Sequence, residues 1–184
     1  MIENFLINNL PKEYTYHTIH HIRDVVEQSE RIAKKEKINK EDIADLKLAA
    51  WLHDVGYIWE PARHEARGAE YATVVLNAMD FPAQKINRIT GMIMATKIPQ
   101  SPKNLLEQII CDADLDYLGR EDYKANSTLL LEELRLKKEI SELEWLKIQD
   151  QFLTKHVYFT KTSNSTRNTQ KAKVLANIKT QLKK

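Results

Sequence analysis

Cysteine occurs once among the 184 residues, at Cys111, so no internal disulfide can form and the chain suits a reducing compartment. Glycine and proline are scarce as well, with four and five copies. Polar and apolar residues do not alternate as they would along half-buried strands; together these gaps exclude a turn-rich β architecture and leave an all-α domain. No apolar stretch reaches the roughly 18 residues that a membrane helix needs. The opening Met1-Ile2-Glu3-Asn4 lacks the basic-then-apolar pattern of a secretory leader. A soluble, cytoplasmic protein is therefore expected. One sign of charge is missing locally: the net charge is only +2, yet residues 151–184 hold eight basic side chains and no acidic one, leaving 20 basic and 26 acidic in residues 1–150. Such a tail either brings Lys161, Arg167, Lys171 or Lys173 to a phosphate-bearing substrate or forms a solvated helix that neutralises the acidic body. On a nearly neutral chain it falls short of the footprint of a nucleic-acid binder.

What is present is helical spacing. A chain of this length with 42% hydrophobic residues can bury one core. We expect a single domain over 1–184, with a core at about 16–120 and a C-terminal helical extension at 121–184. The first long helix is predicted over residues 16–36, burying Ile22, Val25, Val26, Ile32 and Ala33. Asn39 can cap the next helix, with Asp42 three residues on. Further helices are predicted over 66–79, 82–95, 102–112, 122–137, 142–159 and 169–182. Pro82 and Pro102 suit helix starts, and Ser141 with Glu144 reads as a capping box. Residues 160–169, rich in Ser, Thr and Asn, read as an exposed loop.

The chemistry concentrates at His53-Asp54, which closes the apolar run Leu48-Ala49-Ala50-Trp51-Leu52. An imidazole and a carboxylate side by side can bind one divalent ion only if other ligands arrive from elsewhere. Candidates exist: His17, His20 and His21 upstream, and Asp112 and Asp114 downstream. His17 and His21 are four apart and would share a helix face, while His20 points elsewhere. Asp116, two beyond Asp114, would face away and be solvated.

That order of a histidine, a His-Asp doublet and a distant aspartate resembles the HD-domain superfamily of metal-dependent phosphohydrolases. Tyr16-His17 followed by His21 looks like its first-ligand helix, and Ala49-Ala50-Trp51-Leu52-His53-Asp54-Val55-Gly56-Tyr57 like its doublet helix. His64-Glu65, then Asp112-Ala113-Asp114-Leu115 and Leu118-Gly119, resemble a subgroup of small HD phosphohydrolases. The resemblance implies an HD-like helical bundle with extra C-terminal helices and metal ligands His21, His53, Asp54 and Asp114. Asp114 is favoured over Asp112, which becomes a supporting or capping acid. Two imidazoles and two carboxylates leave positions open on an octahedral ion, which suits Mn, Fe, Co, Ni or Mg. Members with two metals carry two further histidines. His64 matches the first, but Lys97 stands where the second is expected, so one ion per chain is predicted.

The implied reaction is hydrolysis of a phosphomonoester or phosphodiester, of a nucleotide in particular. A divalent cation lowers the pKa of water and polarises a phosphoryl oxygen. Asp54 or Glu65 would take the water's proton, and His17 would give one to the leaving oxygen. Lys97 and Arg67 would hold phosphate oxygens, with His64 also touching substrate. Glu65 as a solvated acid and Arg67 as a surface ion-pair partner are the plainer readings. Tyr57 stands where small nucleotidases of the superfamily place a catalytic acid, so their mechanism does not transfer simply. Trp51, Trp59 and Tyr71 either stack on a base or belong to the core, and His156 packs the C-terminal helices. The alternative function is a nucleotide-binding or regulatory module that keeps the metal as a structural pin.

Overall fold

The structure, a computed structural model, describes residues 2–183 and is all-α, with no strand among them. The helices are α1 (Ile2–Asn9), α2 (Ile19–Lys35), α3 (Lys40–Leu52), α4 (His64–Ala78), α5 (Ala83–Ala95), α6 (Leu105–Asp114), α7 (Tyr123–Arg135), α8 (Glu142–Lys155) and α9 (Lys161–Gln181). Short 3₁₀ turns follow α3 and α6, at Val55–Ile58 and Asp116–Gly119. Side chains set several starts. Asn39 accepts the Asp42 amide at 2.9 Å, and Ser141 and Glu144 close a reciprocal capping box, both as the sequence suggests. Pro82 immediately precedes α5, whereas Asn104 rather than Pro102 starts α6 by accepting the Glu107 amide at 3.1 Å.

The main core gathers Ile22, Val25 and Ile32 of α2, Leu46 of α3, Ile89, Met92 and Ile93 of α5, and Ile109 and Ile110 of α6, all with no exposed surface. Burying each such side chain is worth roughly 1.5–3 kcal/mol, which makes α2, α3, α5 and α6 a rigid frame. A second cluster of Tyr16, Leu115, Tyr117, Leu118, Tyr123, Leu153 and Ile178 ties α7, α8 and α9 to the end of that frame.

Four expectations need correction. Helix α1 has no counterpart in the sequence reading, being short and burying only Leu6 completely. Helix α2 begins at Ile19 rather than Tyr16, because the Thr18 side chain caps it by accepting the His20 amide; His17 therefore precedes the helix instead of sharing a face of it with His21. Residues 161–169 are not a loop but the first half of α9, capped where Thr160 accepts the Ser163 amide at 3.1 Å. Asp116 is fully buried, not solvated. The chain leaves α6 in a 3₁₀ turn, which swings Asp116 beneath α9, where it pairs with Arg167 at 2.8 Å and Arg31 at 2.9 Å. Gly119 permits that approach, since a Cβ there would collide with the Arg167 backbone and Cβ.

Candidate metal centre

Three helix ends converge on one point. His21 projects from the first turn of α2, His53 and Asp54 follow the last residue of α3, and Asp114 is the last residue of α6. His21, His53 and Asp114 each offer a ligand atom within 4.8 Å of the others. Asp54 Oδ2 joins them, 3.4 Å from His21 Nε2 and 3.2 Å from His53 Nε2. His21 Nε2 lies 3.2 Å from Asp114 Oδ1.

The donor set fits a divalent cation on chemical grounds. His53 Nδ1 donates to the Ala50 carbonyl at 2.7 Å, so in the neutral ring Nε2 is a lone pair aimed at the carboxylates. Asp54 Oδ2 is buried and has no hydrogen-bond partner among the described residues. Lone pairs held this close repel unless positive charge sits among them. The electrostatics point the same way. Burial opposes a charge on His53, but Asp54 and Asp114 more than offset it and pull the imidazole pKa well above its ordinary value. Burial likewise opposes charge on Asp54 and Asp114, and the facing histidines overcome it, holding Asp54 below the carboxylate range and Asp114 at about 2.

Beside this cluster stands a pair that sequence reasoning missed. Glu133 of α7, buried to 6% exposure, accepts the backbone amides of Tyr16 and His17 at 2.9 Å each and takes a short hydrogen bond from His17 Nδ1. Burial raises its pKa, but these hydrogen bonds and the His17 ring outweigh burial and hold the carboxyl ionised. The other His17 nitrogen, Nε2, lies 2.9 Å from the Tyr57 hydroxyl, and the two rings stack at 4.0 Å. Tyr57 thus supports His17 from the doublet side. Nothing near Glu133 in sequence signals this, because its partner is 116 residues away.

Of the other expected residues, His64 and Glu65 open α4, which starts two residues before the expected helix. His64 Nε2 sits 3.6 Å from Asp54 Oδ1 and 3.4 Å from Glu65 Oε1. Gly56 makes this possible: a Cβ there would overlap the His64 carbonyl, so only glycine lets α4 start against the doublet. Glu65 is buried, not solvated. Arg67 turns to Glu60 and Glu70 at 2.8 Å each, a surface ion-pair group away from the cluster. Lys97 is exposed, between Thr96 and Ile98, which face the cavity while Lys97 does not. His20 is exposed, and Asp112 is turned inward to accept the Phe159 and Thr160 amides and the Thr160 hydroxyl. Trp51 and Tyr71 pack against the core, Trp59 is half exposed, and none of the three lines the cavity over the cluster. The His156 ring accepts a hydrogen bond from Lys171 at Nδ1. No helix among the described residues is long and apolar enough to cross a membrane.

These features define a helical protein whose helix ends present a His, a His-Asp doublet and an Asp. The chain belongs to the HD-domain family, whose model matches residues 18–116, more than half of its length. The match contains the four cluster residues but begins after His17 and ends before Glu133. Solved structures share the fold along nearly all of the chain. A predicted HD superfamily hydrolase from an uncultured Thermotogales bacterium is 22% identical, with a TM-score of 0.65 over 98% of this chain and 89% of its own. A Lactobacillus plantarum protein is 19% identical, with a TM-score of 0.68 over 99% and 93%. Bacillus subtilis YpgQ, solved in complex with ADP, is 15% identical, with a TM-score of 0.64 over 99% and 94%. No curated protein matches the sequence.

Proposed function

We propose that this protein is a metal-dependent phosphohydrolase that cleaves a phosphate ester of a nucleotide or nucleotide-like substrate. The observation that carries the reading is the set of His21, His53, Asp54 and Asp114 lone pairs closing on one point beside a histidine held by a carboxylate. His21, His53, Asp54 and Asp114 would hold one divalent ion from the Mn, Fe, Co, Ni and Mg group. When bound, such an ion supplies a Lewis acid for the phosphoryl oxygen and lowers the pKa of water.

The protein's residues do the rest. Asp54 and Glu65 line the cavity, and one of them would take the proton of the attacking water. His17, fixed at Nδ1 by Glu133, presents Nε2 beside Tyr57 and gives a proton to the leaving oxygen. The water oxygen forms its bond to phosphorus as the bond from phosphorus to the leaving oxygen breaks, releasing phosphate and alcohol from a monoester. His64 is placed to touch a phosphoryl oxygen. Arg67 and Lys97 take no part, Arg67 being engaged by Glu60 and Glu70 and Lys97 lying off the cavity lining. The neighbour seen with ADP supports a nucleotide-like ligand for this fold.

The test is elemental analysis of the purified wild type and Asp54→Ala, followed by a phosphoester screen with wild type and His17→Ala. About one ion per wild-type chain, none in Asp54→Ala, and turnover lost in His17→Ala with metal kept would support the reading. Metal without any turnover would point instead to a binding module with a structural ion, and no metal after reloading with Mn or Fe would sink the hydrolase.

A further inference from the structure

The cluster lies at one pole of a cavity of about 230 Å³. His17, Asp54, His64, Glu65 and Asp114 line that pole. The opposite pole is built by α7 and α8, beyond the HD match, from Leu130, Leu134, Trp145, Ile148, Phe152 and Leu153. Tyr123, Ser127 and Gln149 also line the cavity, and Gln149 is the one amide among its lining residues. Gln149 is only 8% exposed. Its Oε1 accepts the Tyr123 hydroxyl at 2.6 Å, while Nε2 makes one long bond to the Trp145 carbonyl at 3.4 Å, so an amide hydrogen is left to meet a ligand.

No lysine or arginine lines this cavity among the described residues, and three of its lining residues are carboxylates. A phosphoryl group is favoured only at the cluster, where a cation and His17 can face it. Within this cavity a second or third phosphate would lie against carboxylates or hydrocarbon with no lysine or arginine lining it, and desolvating it there is unfavourable. Size acts in the same direction. At about 230 Å³ the cavity falls below the roughly 300–1,000 Å³ of pockets that enclose drug-sized ligands, which leaves room for one compact ring system but not two bases.

Building on the hydrolase reading above, we propose that the substrate is a phosphate monoester of an alcohol carrying one flat, uncharged ring. The ring lies in the Trp145–Phe152 chamber, Gln149 hydrogen-bonds its edge, and the single phosphoryl group sits at the cluster. Nucleoside polyphosphates and dinucleotides should be poor substrates beside it.

The full chain, loaded with Mn, is assayed on nucleoside monophosphates, p-nitrophenyl phosphate, glycerol phosphate and nucleoside triphosphates. Monoesters bearing a ring should show kcat/KM at least about tenfold above glycerol phosphate and triphosphates, and Gln149→Leu should lower the value for the preferred ring at least about tenfold. Ile148 is 39% exposed at the chamber's edge, so Ile148→Lys adds the missing cation without disturbing the core and should narrow the gap between mono- and triphosphates. Triphosphates or glycerol phosphate turned over as well as the ring monoesters would overturn the inference and leave the hydrolase standing. If nothing is turned over, calorimetry with the same compounds decides. Tighter binding of the ring monophosphates would uphold the chamber while the hydrolase falls, and equal or absent binding would end both.

Discussion

Replacing Glu133 by alanine would leave three donors without an acceptor: the backbone amides of Tyr16 and His17 and the His17 ring N–H. A buried donor stripped of its partner costs about 1–3 kcal/mol. The low end applies here, because the vacated side-chain volume admits water, so the expected loss is about 3 kcal/mol. For a chain of this size that lowers Tm by about 6–12 °C, readable by calorimetry. Glu133→Gln separates anchoring from chemistry. Its carboxamide oxygen can still serve the two backbone amides, but its NH₂ then faces His17 Nδ1 and donates to it, which reverses the hydrogen bond and the ring tautomer. Stability should fall by only about 1 kcal/mol, the difference between a charged and a neutral acceptor. Turnover should fall about 100-fold, the lower range of what a positioned acid contributes. Metal content should not change in either variant, because no hydrogen bond or ion pair links Glu133 to His21, His53, Asp54 or Asp114 among the described residues. Imidazole nitrogen chemical shifts report the tautomer even without turnover. A Glu133→Gln protein with wild-type kcat and unchanged His17 shifts would refute the positioning role, and a Glu133→Ala protein melting within about 1 °C of wild type would refute the anchor.

Asp116→Ala would leave Arg31 and Arg167 without their carboxylate; as both guanidiniums are partly exposed, the expected loss is about 2–3 kcal/mol in urea unfolding rather than the roughly 3–5 of a fully buried pair. Unchanged stability would mean the latch contributes nothing. Burial first, and then the Lys171 ammonium, push the His156 pKa from 6.5 down to about 3. The unfolded chain therefore takes up this proton first, so the stability is fully present above about pH 6.5 and is lost as pH falls toward 3, at up to about 1.4 kcal/mol per pH unit. His156→Gln should flatten that acid slope between pH 6.5 and 4.5, and an identical slope would contradict the assignment. A fragment ending at residue 120 lacks Thr160 and Arg167, which hold Asp112 and Asp116 on either side of Asp114, so it should lose near-ultraviolet dichroism and metal binding; native metal affinity in that fragment would show that the cluster stands without α7, α8 and α9.

How much of this was legible in the sequence depends on the range of the interaction. The frame helices follow from apolar spacing, and Asn39 and Ser141 mark starts because a cap is a contact three residues long. His53-Asp54 is legible because it ends an apolar helix, and His21 and Asp114 because short patterns surround them. Errors begin where a polar side chain is satisfied by a distant element. Periodicity assigns Asp116 to solvent, since it detects apolar faces and not the arginine that α9 brings. It takes residues 161–169 for a loop for the same reason. The inner face of the first half of α9 is polar, its Thr162 amide donating to Glu36 at 2.7 Å and its cap bound to Asp112.

That polarity also bears on the missing acids of α9. Helix α9 lies over Glu36, Asp112 and Asp116, so an acidic residue on its inner face would meet a like charge. Arg167 is therefore engaged by Asp116, and Lys171 by the carbonyl and ring of His156, instead of at a substrate. The same contacts bear on the site. Asp114 is flanked in sequence by Asp112 and Asp116, and residues 159–167 hold both, so the last turn of α6 is gripped on either side of the candidate ligand it presents. Helix α7 meanwhile holds His17 through Glu133. A metal ligand must be fixed within a few tenths of an ångström, and its supporting hydrogen bonds are what fix it. The HD match contains the four facing side chains, and the helices outside it determine how firmly two candidate site residues, His17 and Asp114, are aimed.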